Sequence, residues 1–371
     1  MKGKTILGLL LFFMMFLIPF LSMGAKIPDK TDKPNRSGSM SSVQPQQPQS
    51  QLQSQSKLPS QLQSQSKPQS QVQSQQTQSA PPAVQNSAQF KILDTKSNQV
   101  VTVDDRSFLY GAIVTEMSPE FQPEALKAQG VAAYTYYSRL REQERANPTA
   151  SLKGADFSAD TQGWKIYVTK AQMQERWGGR FDEYYNKLTQ VVNAVYGQVL
   201  KSGNDLADAT YYAISSGNTE TSEEIWGGKR TYLVSVASPG DIFAGGYQTT
   251  VTLSAEQFKA AALKIAPKAS LGADTAKWVG NISRTAAGSV KSIGIGGVSV
   301  TGNDARNAFS LRSANFTVTC KNNTFTFVVK GYGHGVGMSQ VGANYMASQG
   351  STYKQILAWY YPTTSLTTIN T

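Results

Sequence analysis

The sequence predicts an α+β fold, in which helices and strands occur together without the regular βαβ alternation of a doubly wound sheet. Helical patterns cover residues 123–145 and 181–196, whereas short apolar and β-branched runs follow one another between residues 280 and 329. The chain has 371 residues, but residues 1–88 lack the composition of a packed core. The remaining part, about 280 residues, is long enough for one domain with two lobes or for two domains.

The N-terminus begins with a short basic head and continues as an apolar run at residues 6–23. A helix of this length, at about 1.5 Å per residue, reaches about 27 Å and matches the hydrocarbon core of a bilayer. The run and the long spacer behind it favour an uncleaved anchor at residues 1–25, although Ser22, Gly24 and Ala25 would also suit a signal peptidase. Because the positive residues precede the run, we expect the rest of the chain outside the cytoplasm, anchored to the membrane or secreted if the segment is cleaved.

Residues 26–88 are rich in Gln, Ser and Pro, and residues 50–57 recur unchanged as residues 60–67. Such a tract buries too little apolar area to offset its chain entropy, so we predict a disordered linker. A flexible chain of about 60 residues has a root-mean-square span of roughly 40–50 Å. The linker would therefore give a tethered domain at residues 89–371 reach away from the membrane.

The first element predicted in the folded part is a buried strand at residues 108–114, which form a continuous apolar run. Pro123 suits the first position of a helix. Apolar residues recur at helical spacing from Leu126 to Leu140, and the helix is expected to continue to about Arg145.

The later elements are predicted from apolar runs that are separated by polar, turn-rich segments. Further helices are expected at residues 170–177, 181–196 and 255–265. Further strands are expected at residues 199–200, 209–214, 249–253, 290–295, 298–301, 316–320 and 325–329. The C-terminal end is expected to be helical, with Ser339 and Thr352 as N-caps and Gln355 completing a capping box with Thr352.

The composition limits the possible chemistry. The formal net charge is +11, from 35 Lys and Arg against 24 Asp and Glu. The basic residues are scattered and no nucleic-acid-binding motif is present, so we expect no nucleic-acid partner; the charge indicates attraction to an anionic surface or simple solubility. Cys320 is the one cysteine and His334 the one histidine. An internal disulfide is therefore impossible, and we predict neither a metal site nor a cofactor.

Glu116 is the first candidate catalytic residue. It follows the predicted strand and precedes a helix, a place where burial would raise its pKa. A carboxyl group that stays protonated near neutral pH can act as a general acid. The alternative is a structural glutamate that caps the helix or pairs with Lys127.

Residues 331–337 form a second candidate segment, in which four glycines alternate with other residues around His334. Alternate glycines leave one face of an extended segment without side chains, so a ligand can approach the backbone. The alternative is a glycine-rich turn with a structural histidine. A phosphate-binding loop would need a Lys and a Ser or Thr directly after it, and these are missing.

Residues 215–219 form a third candidate segment, which supplies hydroxyl and amide groups and is followed by Trp226. Such groups beside an indole suit carbohydrate, whereas the alternative is a polar loop with Trp226 in the core. A Ser/His/Asp triad is not indicated, since no Gly-x-Ser-x-Gly elbow occurs and a single histidine must serve.

Four groups of residues carry a resemblance to a known family. They are Glu116 and Met117 with residues 124–133, residues 215–217 with 225–227, Arg306 with residues 311–313, and residues 333–340 with the positions that follow as far as Tyr361. In these places, across about residues 90–370, the sequence resembles the SpoIID/LytB family of sporulation and amidase-enhancer proteins.

The resemblance implies a single catalytic domain at residues 89–371. It also implies lytic transglycosylase activity, in sporulation and engulfment, on peptidoglycan glycan strands that an amidase has stripped of their stem peptides. Glu116 matches the family's catalytic glutamate, and Lys127 matches a lysine implicated in function. The residues that we predict to bind the substrate are Lys127, Gln129, Ser215, Ser216, His334, Ser339 and Gln340.

The sequence also departs from the family pattern. Tyr134 stands where the family usually has arginine, and Ser118 separates Met117 from Pro119. Residues 160–167 contain neither the cysteine nor the histidine that some members carry there, so the zinc site of those members is not expected. The change at Tyr134 bears on substrate affinity or rate rather than on the class of reaction.

One glutamate suffices for the implied reaction, because the muramoyl C6 hydroxyl rather than water attacks C1 and closes a 1,6-anhydro ring. Two other functions remain open. The chain would bind glycan without cleaving it and enhance a partner cell-wall amidase, or it would serve only to tether the wall. The expected partners are thus glycan strands, a cell-wall amidase and, through the N-terminal segment, the membrane.

Overall fold

The computed structural model describes residues 88–369. The predicted anchor at residues 1–25, and the predicted linker at residues 26–88 except for its last residue, lie outside the described residues. Within residues 88–369, no helix combines the length and apolarity that crossing a bilayer requires.

The described part contains both helices and strands, which confirms the predicted α+β class. The helices are α1 (Asp105–Glu116), α2 (Pro123–Ala146), α3 (Lys170–Trp177), α4 (Phe181–Val195), α5 (Ser222–Trp226), α6 (Ala255–Ile265), α7 (Gly302–Ala308), α8 (Gln340–Ser348) and α9 (Tyr353–Tyr360). The strands are β1 (Gln89–Asp94), β2 (Val100–Asp104), β3 (Phe157–Ala159), β4 (Gln198–Ser202), β5 (Asp205–Leu206), β6 (Tyr211–Tyr212), β7 (Gln248–Ser254), β8 (Val279–Arg284), β9 (Val290–Ile295), β10 (Val298–Thr301), β11 (Phe316–Lys321), β12 (Thr324–Lys330), β13 (Met338–Ser339) and β14 (Ser365–Thr368).

The strands form small sheets rather than one large sheet. Their orders are β2-β1-β3, β14-β4-β5, β11-β12-β7, β10-β9-β8 and β13-β6. Most neighbouring strands are antiparallel, but β1 pairs in parallel with β3, and β13 with β6. The parallel pair β13-β6 matters for function, because it joins the C-terminal glycine-rich segment to the middle of the chain.

The first hydrophobic core surrounds α2 and draws on residues 90–233 and 336–361. Its rings pack closely: the centroids of Phe90 and Phe108 are 4.4 Å apart, and those of Phe108 and Tyr137 are 5.1 Å apart. Aromatic pairs at such separations contribute about 0.5–1.5 kcal/mol beyond the burial of their area. This core fixes α1 and α2, the two helices on either side of Glu116.

The second hydrophobic core lies within residues 255–329. Phe258 of α6 is fully buried and stacks on Phe325 of β12, with ring centroids 3.9 Å apart. Residues 88–369 nevertheless belong to one compact unit. Two cores in one unit agree with a single domain of two lobes, the second inserted in sequence between the two parts of the first.

The predicted strand at residues 108–114 was wrong, because these residues belong to helix α1. Asp104 caps the helix, its Oδ1 accepting a hydrogen bond from Ser107 N at 2.8 Å. All of residues 108–114 are buried, so the helix shows no polar face and its apolar run carries no period. The strand predicted at residues 209–214 is likewise reduced to Tyr211–Tyr212.

The other helices and strands that were predicted with bounds are confirmed to within one or two residues. The C-terminal end, predicted to be helical, contains α8 and α9 but continues as strand β14. Local capping explains the accuracy at α6 and α9, where Ser254 with Gln257 and Thr352 with Gln355 form capping boxes. Ser339 caps α8 as predicted, its side chain accepting from Gly342 N.

Candidate active site

Glu116 is the last residue of α1 and is half-buried. Burial raises the pKa of its carboxyl group to about 7, against an opposing effect of a hydrogen bond from Gln340. Its place at the C-terminal end of a helix also disfavours negative charge, since the helix dipole is negative there. Near neutral pH the carboxyl group is therefore present in both its protonated and its ionised form.

Two glutamine side chains flank Glu116. Gln340 Nε2 lies 3.5 Å from Glu116 Oε2 and 3.5 Å from Gln129 Oε1. Gln129 is fully buried on α2, and in the described part of the chain its Nε2 has no hydrogen-bond partner. The structure thus joins three of the predicted site residues in one cluster.

The β13-β6 pair positions Gln340 in this cluster. Met338 pairs with Tyr211 and Ser339 with Tyr212. Ser339 Oγ then accepts from Gly342 N at 3.2 Å and starts α8, whose first residue is Gln340. The end of the C-terminal motif therefore places an amide group beside the carboxyl group of Glu116.

Two tyrosines beside Glu116 were not singled out from the sequence. Burial raises the pKa of Tyr137 and of Tyr211 well above the usual value, and the charge of Glu116 raises both further. A hydrogen bond links their side chains. Both hydroxyls therefore keep their protons next to the carboxyl group. The sequence signal at Tyr137 is helical spacing alone, which indicates a core position.

Lys127 pairs with another glutamate. Its Nζ lies 2.6 Å from Glu124 Oε1 on the same helix, and Glu124 Oε2 accepts from Tyr353 N at 2.8 Å. The ion pair between Lys127 and Glu116, which the sequence left open, is not the one that the structure contains. Lys127 remains half-buried at the junction of α2 and α9.

His334 is held by the backbone through both ring nitrogens. Its Nε2 donates to Tyr211 O at 3.1 Å, and its Nδ1 accepts from Val336 N at 3.2 Å. Burial, together with the positive charge of Arg306, lowers the pKa of His334 to about 4. The ring is thus neutral at pH 7 and fastens the glycine-rich segment to β6, which favours the structural role that the sequence left open.

Two glycines of this segment are required by close packing. Gly337 has φ +83°, and a Cβ there would collide with the carbonyl group of Thr210. Gly331 has φ +79°, and a Cβ there would lie 2.8 Å from Ile214 O. Glycine alone tolerates both the left-handed backbone and the close approach. These positions let residues 331–337 pack against residues 210–216.

Ser215 and Ser339 meet at a buried carboxylate that the sequence analysis missed. Asp241 Oδ1 accepts from Ser215 N at 2.7 Å and from Ser339 Oγ at 2.5 Å. Its Oδ2 accepts from Ser238 Oγ at 2.5 Å. Burial raises the pKa of Asp241, and these donors oppose that rise. No spacing in the sequence connects residue 241 with residues 215 and 339, so only the fold reveals this link.

Ser216 lines a crevice whose lining does not include Glu116. Its Oγ accepts from Asn315 Nδ2 at 3.1 Å, and its carbonyl accepts from Tyr247 OH at 2.9 Å. The crevice is lined by Tyr212, Ile214, Ser216, Asn218, Glu220, Ser289, Ser313, Ala314, Asn315, Lys330, Gly331, Gly333, His334 and Gly335. Ser216 and His334 are thus brought together there, whereas Glu116, Gln129 and Gln340 form their own cluster.

Tyr134, which replaces the arginine expected from the family pattern, is fully buried. Its hydroxyl donates to Asp105 Oδ2 at 2.6 Å, and Arg141 Nη1 donates to Asp105 Oδ1 at 2.8 Å. The tyrosine therefore completes a buried network in the first core. Its hydroxyl is not available for a direct contact with substrate.

Between residues 88 and 369, no group of three or more His, Cys, Asp or Glu side chains is arranged to hold a metal ion. The cysteine and the histidine do not share a site: Cys320 Sγ contacts Thr275 Oγ1 at 3.5 Å, whereas His334 binds backbone atoms.

Comparison with known proteins supports the relation suggested by the motifs. Residues 93–201 match the family model SpoIID, stage II sporulation protein. The chain is 34% identical to stage II sporulation protein D of Bacillus amyloliquefaciens, covering 77% of this chain and 81% of that protein. It is 33% identical to stage II sporulation protein D of Bacillus subtilis, covering 73% of this chain and 77% of that protein.

A more distant similarity links the chain to a protein with a different name. It is 28% identical to the amidase enhancer of Bacillus subtilis, over 70% of this chain but only 40% of that protein. The two sporulation proteins are matched at higher identity and over most of their length. The chain therefore belongs to the SpoIID family of stage II sporulation proteins.

Proposed function

We propose that this protein is a peptidoglycan lytic transglycosylase of sporulation, which cleaves the bond between N-acetylmuramic acid and N-acetylglucosamine in peptide-stripped glycan strands. The observation that carries the proposal is the half-buried Glu116, whose pKa is raised to about 7. The names of the two sporulation relatives support a role in sporulation.

In the proposed reaction Glu116 acts twice. The protonated carboxyl group gives its proton to the glycosidic oxygen, and the bond from that oxygen to muramoyl C1 breaks. The carboxylate then takes the proton of the muramoyl C6 hydroxyl, whose oxygen bonds to C1 and closes the anhydro ring. A group with a pKa near the working pH suits both steps, because it must give up and regain one proton in each turnover.

The neighbours of Glu116 fit this cycle. Gln340 Nε2 donates toward the ionised carboxylate, which favours the charged form after the first transfer. The neutral hydroxyls of Tyr137 and Tyr211 add polar hydrogens to the same region. Preorganised donors of this kind stabilise charge that develops during a reaction. Ser216 and His334 line a separate crevice, so we assign them to more distant contacts with the glycan.

The proposal includes the organisation inferred from the sequence. Residues 1–25 would anchor the chain in the membrane, residues 26–88 would act as a flexible linker, and residues 89–371 would form the catalytic domain. The enzyme would then act on the outer side of the membrane, on strands first stripped by a cell-wall amidase.

The decisive experiment is product analysis of the purified chain on peptide-stripped glycan. We expect anhydro-muramoyl ends in the mass spectrum and their loss, by at least a hundredfold in rate, in Glu116→Gln. Glu142→Gln is the matched control, because Glu142 is exposed on α2. An unchanged rate of anhydro-end formation in Glu116→Gln would refute the assignment.

The similarity to the amidase enhancer supports a second candidate function, non-catalytic binding of glycan that stimulates an amidase. This alternative predicts glycan binding and faster turnover of a purified cell-wall amidase, with Glu116→Gln harmless to both. The same variant therefore separates the two functions. A purely structural wall tether would show neither cleavage nor stimulation.

A further inference from the structure

The loop between α1 and α2, residues 117–122, connects Glu116 to the next helix and is fastened by a lysine of α4. Lys187 Nζ donates to Pro119 O at 2.8 Å and to Phe121 O at 2.6 Å. An ammonium group carries three donors on a flexible stem and can therefore satisfy two carbonyl groups at once.

The α1–α2 loop has only limited hydrogen bonding of its own. Phe121 N donates to Ser118 O at 3.0 Å and closes a turn, and Leu126 N donates to Gln122 O at 3.1 Å in the first turn of α2. These bonds leave the carbonyl groups of Pro119 and Phe121 to Lys187. Burial lowers the pKa of Lys187, while Glu183 and Glu120 oppose that change. The half-buried ammonium group therefore takes its hydrogen-bond acceptors from these two carbonyl groups.

Further contacts fix the loop on two sides. On the α4 side, Glu120 Oε1 accepts from Tyr184 OH at 2.7 Å and from Arg180 Nη1 at 2.8 Å. On the α8 side, Gln122 N donates to Asn344 Oδ1 at 2.7 Å. Because α8 also begins with Gln340, the helix that supplies an amide to Glu116 holds the far end of the loop.

We propose that Lys187 is a positioning residue for Glu116, which holds the α1–α2 loop so that the carboxyl group meets Gln340 and the glycan in one fixed geometry. The inference rests on the proposed transglycosylase function. Lys187 does not touch the reacting atoms; it acts through the backbone of residues 119 and 121. Displacing a reacting group by about 1 Å can cost a hundredfold in rate, so a loosened loop should be visible in kcat.

The test compares Lys187→Met with the unchanged chain on peptide-stripped glycan. We expect kcat to fall by about tenfold to a hundredfold with KM changed less than threefold, because the lost bonds act on geometry and not on glycan contacts. Lys187→Arg, which keeps a cationic donor, should recover part of kcat. Lys170→Met is the matched control: Lys170 Nζ lies 4.5 Å from the ring centroid of Tyr185 on α4, and its contact is with that ring rather than with the loop.

Hydrogen–deuterium exchange supplies a readout that does not depend on catalysis. Lys187→Met should exchange the amides of residues 117–122 faster, whereas Lys170→Met should leave them unchanged. A normal kcat in folded Lys187→Met, or unaltered exchange in the loop, overturns the inference. If Glu116→Gln keeps full activity, the proposed function fails, yet the exchange comparison still decides whether Lys187 holds the loop.

Discussion

Glu116 Oε2 and Gln340 Nε2 lie 3.5 Å apart although 224 positions separate the two residues in the chain. Glu116 ends the first helix of the folded part, and Gln340 begins the helix that follows the glycine-rich segment. The contact brings together two motifs that stand far apart in the sequence. The hydrogen bond from the Gln340 amide also lowers the pKa of the Glu116 carboxyl group, against the effect of burial.

Replacing Gln340 should shift the pH dependence of cleavage. In Gln340→Leu the donor to the ionised carboxylate is lost, so the pKa of Glu116 should rise above its value of about 7. The alkaline limb of the kcat/KM profile, which reports the free enzyme, should then move to higher pH. Gln349→Leu, an exposed position at the end of α8, is the control and should leave the limb in place. An alkaline limb at an unchanged pH in Gln340→Leu would show that the Gln340 amide does not act on Glu116.

The raised pKa of Glu116 should also appear in the free energy of unfolding. The folded pKa is about 7 against an ordinary value of 4.5, so between these values the folded state holds a proton that the unfolded state has released. Stability should therefore decrease as pH rises from 4.5 to 7. Glu116→Gln removes this pH-dependent loss of stability. At pH 8 it should be more stable than the unchanged chain by about 1–3 kcal/mol, with no gain at pH 4.5.

Urea unfolding at the two pH values measures this difference. The figure stays below the full value of the shift because part of the Glu116 side chain reaches solvent. Glu142→Gln, at an exposed position, should show no such pH-dependent gain. An equal effect of Glu116→Gln at pH 4.5 and pH 8 would contradict the raised pKa.

Local sequence signals predicted much of the secondary structure, and the errors have physical causes. The helix at Ala255–Ile265 was predicted at its correct bounds, and the structure shows that a capping box of Ser254 and Gln257 fixes its start locally. The strand predicted at residues 108–114 was wrong, because an unbroken run of buried residues within a helix shows no amphipathic period. Periodicity is a reliable signal only where one face of an element meets water.

The candidate site was predictable only in part, for a related reason. Glu116, Gln129 and Gln340 lie in motifs and were named from the sequence, and the fold brings them into contact. Asp241 accepts hydrogen bonds from Ser215 and Ser339, and Lys187 donates to the backbone of residues 119 and 121. These partners are distant in sequence, and neither Asp241 nor Lys187 lies in a motif. Their roles follow from tertiary hydrogen bonds, for which a single sequence carries no local signal.

Removing the carboxylate of Asp241 should destabilise the protein strongly. Asp241→Ala leaves the buried donors Ser215 N and Ser339 Oγ without their acceptor. An unsatisfied buried donor costs about 1–3 kcal/mol, so we expect a loss of about 2–5 kcal/mol in the free energy of unfolding. Asp241→Asn should lose less, since it keeps one carbonyl oxygen. Asp205→Ala, at an exposed position, is the control for urea unfolding; a loss as small as that control's in Asp241→Ala would show that the carboxylate is dispensable.

His334 should remain neutral across the physiological pH range. Its pKa is lowered to about 4, chiefly by burial, against an ordinary value of 6.5. Since the chain has a single histidine, the ring signals of the untagged protein can be assigned without ambiguity in an NMR titration. We expect no change in their chemical shifts between pH 5.5 and 8.

The lowered pKa of His334 also implies that this ring's contribution to folding stability is fully present above pH 6.5 and is lost as pH drops toward 4, because only the unfolded state then gains a proton on this ring. His334→Gln should flatten that acid-side slope. A titration midpoint near 6.5 in the folded protein would mean that the ring is solvated and free to act on the glycan, contrary to the two backbone hydrogen bonds that hold it.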